Sequence, residues 1–464
     1  MIDTSEFIPL GVFKKPIARM WEISGKKLHA IEERLLEDED KALVYTRNGR
    51  YTSQGWTDWT RGFQVGSMLL QAEATDSGFF LEWGRIATMR RIQHHLTHFG
   101  VHDHGFTTTS TFGALLRLMD EHFIEYNEWE RNCYVQALLT SGSVQAHRWT
   151  ELGGGYGFIH SFNGPHSLFA DTIRSLRALA IAYLLGGVLR GEQDKEYSLL
   201  ERLVTHAQTT SEYIVFRGGG EKTDGYDVRG RVAHEAIFNV RTGTYRCPST
   251  QQGYSPFSTW TRGLAWIILG CAEILEFLDM LPKRVTRPYR KVQAEIQMAL
   301  WAAADYYIES TPTCGVPYWD TGAPGLKDLS NWSERDADPF NDKEPVDSSA
   351  AAIAAQGLLR LGKIMGKDGR RYTIAGRKIA LTLLHEPYLS LDPAHEGLLL
   401  HSVYHWPRRW DYVPDGANIP HGESVMWGDY HLRELALYLQ RLSPKRPYYS
   451  FANFYWNVPV GWDD

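Results

Sequence analysis

The sequence predicts an all-α fold, an (α/α)6 barrel of six helical hairpins arranged in a ring. Apolar residues recur at i, i+3, i+4 and i+7 through most of the 464 residues, which is the helical period. The helices so predicted form two classes, one with charged outer positions and one rich in Gly, Ala and Ser, as in SSAAAIAAQGLLRLG. The tetrapeptide WTRG occurs twice, at Trp59–Gly62 and Trp260–Gly263, and each copy opens a small-residue helix.

Taken in order along the chain, the helices are predicted over residues 13–36, 62–74, 79–98, 111–122, 128–140, 170–189, 196–216, 260–277, 282–308, 348–365, 369–385 and 425–442. A helix that is apolar or small nearly all round is buried on most sides. We therefore expect the small-residue helices to form an inner ring and the charged helices an outer one. The N-termini of the inner helices would then share one end of a central cavity.

The alternative fold is a two-domain helical-bundle protein. No linker rich in Pro, Gly or Ser and no shift in composition divides the chain, so a single domain over residues 1–464 is preferred. Residues 217–258 are predicted to form a long loop or small hairpin over the cavity, and residues 320–345 a second long loop of the kind that carries function.

Composition limits the classes of function. The formal net charge is −6, so no basic stripe is available for nucleic acid. Aromatic residues make up 13 % of the chain, with 16 Trp and 24 Tyr, which suits both a core and a sugar-binding cleft. The start has no secretory signal, no segment of 18 apolar residues exists, and the four cysteines are isolated. We expect a cytoplasmic protein without a membrane segment.

Two aspartates precede inner helices and are the candidate catalytic groups. Asp103 lies in the sequence VHDHGF, and Asp171 begins DTIRSLRALAIAYLLGG. A pair of carboxyl groups at the mouth of an aromatic cavity is what chemistry at a glycosidic bond needs, one protonated and the other charged. The structural alternatives are that Asp171 caps its helix and that Asp103 is a turn residue bonded to its own backbone.

A metal or nucleotide site is not predicted. The residues His102, Asp103 and His104 are adjacent, whereas zinc ligands are usually separated by two or more residues. His94 and His98 lie at i, i+4, but such a pair is more often a solvated helix face. The clusters at 153–155 and 218–220 lack the spacing of a phosphate-binding loop and are interpreted as flexible glycine loops. No cofactor is expected.

From about Trp56 to Leu442 the chain resembles the unsaturated glucuronyl hydrolases, glycoside hydrolase family 88. The matching segments, in order, are TDWTRGF (57–63), HDHGF (102–106), Asp171 with Leu176, QQGY (251–254), STWTRGLAW (258–266), PYWD (317–320), DSSAAAIAA (347–355) and WGDYH (427–431). The resemblance implies an (α/α)6 barrel. It also implies an enzyme that hydrates the C4=C5 double bond of a terminal unsaturated uronic acid on an oligosaccharide made by a polysaccharide lyase.

The resemblance assigns roles to individual residues. Asp171 would be the acid/base and Asp103 its partner near the sugar. Trp59, His234, Gln252, Arg262 and Trp266 would contact the substrate. From the residues alone, Arg262 could instead pair with a core carboxylate and Trp266 could be packing.

The chain also departs from the family pattern. Arg174 replaces an apolar residue three positions after Asp171, and we expect it to face a substrate carboxylate or sulfate. Gln251 stands where His is frequent and Gln64 where Trp is common, and residues 154–170 form a longer, more aromatic segment. Two further hypotheses stay open: a glycosidase on the same barrel acting on a saturated or differently modified sugar, and a non-catalytic carbohydrate-binding protein. The sequence does not predict the oligomeric state.

Overall fold

The protein is described by a computed structural model that covers residues 1–35, 41–55, 58–218, 227–442 and 447–454. In chain order its α-helices are α1 (Lys14–Leu35), α2 (Arg61–Thr75), α3 (Gly78–Arg91), α4 (His104–Thr107), α5 (Ala114–Asp120), α6 (Glu128–His147), α7 (Thr172–Ser175), α8 (Arg177–Leu184), α9 (Leu199–Tyr213), α10 (Thr261–Met280), α11 (Lys283–Thr286), α12 (Arg290–Ser310), α13 (Ser348–Met365), α14 (Arg370–Leu383) and α15 (Met426–Arg441).

Six inner segments close into a ring. Helix α2 packs on α15, α15 on α13, α13 on α10, α10 on α7, α7 on α4, and α4 on α2. Each inner segment follows an outer helix in the chain, the outer helices being α1, α3, α6, α9, α12 and α14. The observed architecture is the predicted (α/α)6 barrel.

Burial separates the two classes of helix as the sequence predicts. In α13 every residue from Ser348 to Gly362 is buried, whereas the outer helix α1 buries one face and leaves the other in water. Small residues allow the inner helices to approach one another. A Cβ on Gly357 of α13 would lie 2.7 Å from the backbone nitrogen of Leu269 on α10, closer than two such atoms can pack.

The helix boundaries differ from the predicted ones at several places. The helix expected at 79–98 ends at Arg91, and the one expected at 128–140 continues to His147. The helix expected at 111–122 begins earlier, with α4, a π-helical turn at Thr109–Gly113 and then α5. The helix expected at 170–189 is divided at Leu176 into α7 and α8. The helix expected at 282–308 is interrupted by a 3-10 turn at Arg287–Tyr289, where Pro288 has no backbone N–H to donate.

The strands form small antiparallel sheets around the barrel. They are β1 (Ala42–Arg47), β2 (Arg50–Gln54), β3 (Trp149–Glu151), β4 (Gly157–Ile159), β5 (Ser167–Phe169), β6 (Leu189–Arg190), β7 (Glu196–Tyr197), β8 (Glu235–Asn239) and β9 (Thr244–Ser249). Strands β5, β8 and β9 form one sheet, with Phe169 opposite Glu235 and Glu235 opposite Ser249. The hairpin predicted within 217–258 is therefore confirmed, although residues 219–226, with Gly219 and Gly220, lie outside the described residues. The loop predicted at 320–345 contains a single 3-10 turn among its described residues, at Pro324–Asp328.

The core is one large cluster of buried apolar side chains that runs from Ile2 to Phe454. The four cysteines are all free thiols. In the part of the chain that the structure describes, no helix combines the length and apolar character that crossing a membrane requires.

Candidate active site

Asp103 and Asp171 lie at the starts of two neighbouring inner segments, immediately before α4 and α7. Gly105 allows these segments to begin side by side. Its N–H donates to the hydroxyl of Ser175 at 3.1 Å, and a Cβ on Gly105 would lie only 1.9 Å from the Ser175 carbonyl oxygen. The glycine of the HDHGF motif is thus required by close contact between two backbones, and that contact brings the two aspartates together.

Neither aspartate caps the helix that follows it. The carboxyl groups of Asp103 and Asp171 accept no capping hydrogen bond, whereas Asp347, at the start of α13, accepts from the backbone N–H groups of Ser349 and Ala350. The capping alternative therefore holds for Asp347 and not for the candidate pair. Both carboxyl groups of the pair remain available for chemistry.

His102 lies between the two carboxyl groups. Its Nε2 is 3.6 Å from Oδ1 of Asp103 and 3.6 Å from Oδ2 of Asp171. The His102 side chain is 2 % exposed, against 10 % for Asp103 and 16 % for Asp171, so water reaches the carboxyl groups but not the imidazole.

The two carboxyl groups have pKa values displaced in opposite directions. Burial raises the pKa of Asp103 to about 6, with the charge of Asp171 adding to the effect and His102 opposing it. Burial also acts to raise the pKa of Asp171, but the hydrogen bond and charge of His102, together with His234, outweigh it, and the pKa is lowered. Burial acts to lower the pKa of His102, and the two carboxylates reverse this and raise it. The first proton on the pair is therefore held by Asp103, while Asp171 stays charged.

His234 and Gln252 present hydrogen-bond donors to the site. Nδ1 of His234 accepts from the backbone N–H groups of Gln251 and Gln252 at 3.0 and 3.3 Å, and burial lowers its pKa to about 4. The neutral ring therefore carries its proton on Nε2, which is buried and has no hydrogen-bond partner among the described residues. The side-chain oxygen of Gln252 accepts from Arg262 at 2.6 Å, which leaves its amide NH2 free to donate. This matches the substrate-contact prediction for both residues, which stays a prediction.

Arg262 and Trp266 lie beneath this surface. Arg262 pairs with Asp347 at 2.7 Å and donates to the carbonyl of Tyr404 at 2.8 Å, with its side chain 2 % exposed. Trp266 is buried between Phe106 and other aromatic rings, with a centroid separation of 5.0 Å from Phe106. The core-pair and packing alternatives describe the contacts of both residues in this structure, and their predicted contact with the substrate stays a prediction.

The expectation for Arg174 is wrong. Its side chain is 0 % exposed and donates to Glu273 at 3.0 and 3.1 Å and to Glu434 at 2.7 Å. It therefore does not face a substrate carboxylate or sulfate. Helix α7 turns this side chain away from Asp171 and toward α10 and α15, which supply the two glutamates.

The mouth of the site is aromatic. Trp59 is half-buried and packs on Trp427, which also packs on Tyr404, with 4.9 Å between the ring centroids in each pair. Phe162 is 57 % exposed and stacks on the ring of His102 with an interplanar angle of 22°. The sequence signalled Trp59 through the WTRG repeat, whereas Tyr404 and Phe162 lie on loops with no recognisable motif.

Asp58 is a further carboxyl group that sequence reasoning missed. Burial raises its pKa, and its charge in turn raises the pKa of Asp103. It precedes Trp59 in the TDWTRGF segment, whose first residue, Thr57, lies outside the described residues.

Among the described residues, one group of three has donor atoms close enough to share an ion: His102, Asp103 and Asp171, within 4.8 Å of one another. We do not assign them as metal ligands, because Nε2 of His102 lies equally near both carboxyl groups, at 3.6 Å, and is placed to donate a proton to them. His104, the other histidine of the motif, is occupied elsewhere. Its ring nitrogens contact the hydroxyl of Ser141 at 2.9 Å and the carbonyl of His98 at 2.8 Å. That a metal is not required stays a prediction.

Two relatives of this chain are named as hydrolases of unsaturated saccharides. The sequence matches no protein-family model. It is 26 % identical over 439 residues to the unsaturated glucuronyl hydrolase of Bacillus sp. (strain GL1), covering 91 % of this chain and 97 % of the relative. It is 24 % identical over 408 residues to an unsaturated chondroitin disaccharide hydrolase of Streptococcus agalactiae, covering 85 % of both.

Solved structures confirm the fold. The crystal structure of the Bacillus sp. GL1 unsaturated glucuronyl hydrolase superposes with a TM-score of 0.67 at 23 % identity, covering 91 % of this chain and 97 % of that one. The resemblance predicted from the eight sequence segments is therefore confirmed, and so is the (α/α)6 barrel.

Proposed function

We propose that this chain, like the unsaturated glucuronyl hydrolases it resembles, removes a terminal 4,5-unsaturated uronic acid from an oligosaccharide. The observation that carries the proposal is the pair of buried carboxyl groups, Asp103 and Asp171, within 4.8 Å of each other and with one imidazole between them. A binding protein has no need for a carboxyl group that burial holds partly protonated, whereas proton transfer to carbon does.

The reaction is a hydration. A proton from the enzyme adds to C4 of the C4=C5 double bond, a water oxygen bonds to C5, and the second proton of that water returns to the enzyme. The resulting C5 hemiketal opens to a ketone. C1, now a hemiacetal, then expels the rest of the oligosaccharide as an alcohol. The enzyme gives one proton and recovers one, so a single carboxyl group can act first as acid and then as base.

Asp171 is the proposed acid/base and Asp103 its partner. In the empty site the proton rests on Asp103, because His102 and His234 favour the charged form of Asp171. A bound uronate brings a negative charge and excludes water, and both effects raise the pKa of a neighbouring carboxyl group. Substrate binding is thus expected to move the shared proton toward Asp171, where it can be given to C4.

The donors of His234 and Gln252 are proposed to bind the sugar, and Trp59 to stack on its apolar face. The substrate class of the relatives supports a lyase-generated disaccharide. We also propose a single catalytic domain and a cytoplasmic location, which the continuous core and the four free thiols support.

The test follows the ultraviolet absorbance of the conjugated double bond with disaccharides produced by lyases from several polysaccharides. Wild-type protein should hydrate the double bond and so remove its absorbance. The variant Asp171→Asn should have a kcat lower by at least about 10³-fold. Its melting temperature should equal that of wild type. Asp368→Asn, an exposed aspartate far from the pair, is the matched control. EDTA should leave the rate unchanged. Unchanged absorbance with every unsaturated disaccharide, combined with cleavage of a saturated glycoside, would overturn the proposal.

A further inference from the structure

His102 lies beside both carboxyl groups but neither gives nor takes a proton in the proposed reaction. We propose that His102 is a positioning residue, whose Nε2–H is held between Asp103 and Asp171 and fixes the orientation of both carboxyl groups. Its effect on turnover rests on the proposed function, whereas the placement of its proton does not.

The geometry is symmetric. One oxygen of each carboxyl group lies at 3.6 Å from the same nitrogen. A small movement of either carboxyl group brings it within hydrogen-bond distance of that N–H. A single donor can therefore be directed to either acid, which a residue placed beside only one of them could not do.

The surroundings determine which nitrogen carries the proton. Both ring nitrogens of His102 are buried without a hydrogen-bond partner among the described residues, and Nε2 is the one that lies 3.6 Å from an oxygen of each carboxyl group. A proton on Nδ1 alone would leave a buried N–H unsatisfied and would turn the Nε2 lone pair toward two carboxyl groups. Both costs disappear when the proton is on Nε2.

Contacts to its backbone and to its ring hold His102 in this position. The backbone carbonyl of His102 accepts from the side-chain amide of Gln145 at 2.9 Å and from the hydroxyl of Ser175. Phe162 stacks on one face of the imidazole, and Phe169 meets it edge-on at 5.6 Å. Ser175 belongs to α7, so the same contact that fixes His102 also fixes the helix that follows Asp171.

Besides the two carboxyl groups, one arginine and three histidines interact electrostatically with the ring of His102. The titratable and charged groups that face His102 are Asp103, Asp171, Arg148, His160, His206 and His234. The three other histidines are held neutral, because burial lowers their pKa values to about 4, 3 and 4 respectively. The two carboxyl groups are therefore the acceptors for which this N–H is placed.

Kinetics of three variants test the role in turnover. His102→Phe keeps a ring between the two phenylalanines but removes the donor, and should lower kcat about 100-fold or more with KM changed less than about threefold. His102→Gln retains an N–H near the same position and should recover activity to within about tenfold of wild type. His401→Phe replaces a buried ring that meets Phe340 edge-on outside the site, and this matched control should be as active as wild type. If His102→Gln is no better than His102→Phe although both melt like wild type, the proposal fails.

Nitrogen NMR of protein labelled with 15N-histidine tests the placement without reference to activity. The His102 signals are those missing from the His102→Gln spectrum, and Nε2 should be the protonated nitrogen. An unprotonated Nε2 with a proton on Nδ1 overturns the proposal. A protein that is inactive on every unsaturated disaccharide, yet shows a protonated Nε2 on His102, would refute the proposed function and leave this inference standing.

Discussion

Replacing Arg174 by methionine removes the cation from a buried cluster of charges inside the barrel. The guanidinium has no exposed surface, and the side chains of its partners Glu273 and Glu434 are each 2 % exposed. Methionine fills a similar volume but leaves two carboxylates in the core without their principal partner. Arg177 lies 3.8 Å from Glu273 and 3.9 Å from Glu434, and together with the charge of Arg360 it gives only partial compensation.

Breaking a buried ion pair by removing one partner costs about 3–5 kcal/mol of folding free energy. Because Arg177 compensates in part, the cost of Arg174→Met should lie toward the lower end of that range. Unfolding entropy is about 2 cal/mol/K per residue, so 1 kcal/mol changes the Tm of a chain of 464 residues by about 1 °C. We therefore expect Arg174→Met to melt about 3–5 °C below wild type, with KM for an unsaturated disaccharide unchanged.

The assay is thermal unfolding by circular dichroism, paired with steady-state kinetics on the same preparations. Arg190→Met is the control, because Arg190 pairs with Glu196 at 2.7 Å on the surface, where the two side chains are 63 % and 54 % exposed. Its Tm should stay within about 1 °C of wild type. An Arg174→Met protein as stable as Arg190→Met but with KM raised about tenfold would show that the guanidinium faces the substrate and would refute the burial argument.

Two further predictions concern the carboxyl pair. Because burial raises the pKa of Asp103 to about 6, the shared proton is present below that pH and is lost as pH rises through it. The value of kcat/KM should fall about tenfold per pH unit above pH 6, Asp103→Asn should remove that dependence, and a profile flat from pH 5 to 8 would contradict the assignment. Gly105→Ala should separate the two aspartates, because its Cβ would lie 1.9 Å from the Ser175 carbonyl oxygen. We expect at least about a 100-fold loss of kcat and a lower Tm, with full activity in Gly78→Ala, where a Cβ meets no atom within 4 Å; an active Gly105→Ala would show that the contact is not needed.

Helical periodicity was sufficient to predict the ring but not the small elements around it. The long inner helices have an unambiguous pattern because almost every side chain is buried. The hairpin of β1 and β2 was missed, although the sequence contains an Asn-Gly pair between the two strands. Asn48 and Gly49 have φ of 50° and 72°, the conformation that favours this pair in tight hairpins. The Asn-Gly pair therefore marks the turn, but the helical periodicity of the neighbouring segments outweighed it in the prediction.

The site shows a different limit. Asp103 and Asp171 could be predicted because each stands at the start of an inner helix, a position that the ring architecture brings to the mouth. Arg174 could not be placed, because its partners Glu273 and Glu434 are 99 and 260 residues away along the chain. The spacing from Asp171 carries no information about these distant partners, which α10 and α15 supply.

The opposite displacements of the two carboxyl pKa values follow from their neighbours and not from their positions in the fold. Both aspartates precede an inner helix, so any effect of a helix N-terminus would favour the charged form of each. Asp171 faces two imidazoles, those of His102 and His234, which stabilise its charge. Asp103 faces one imidazole and two carboxyl groups, Asp58 and Asp171, which destabilise its charge. The barrel places two similar carboxyl groups at one mouth. The side chains around them then determine that Asp103 holds the proton and that Asp171 is charged.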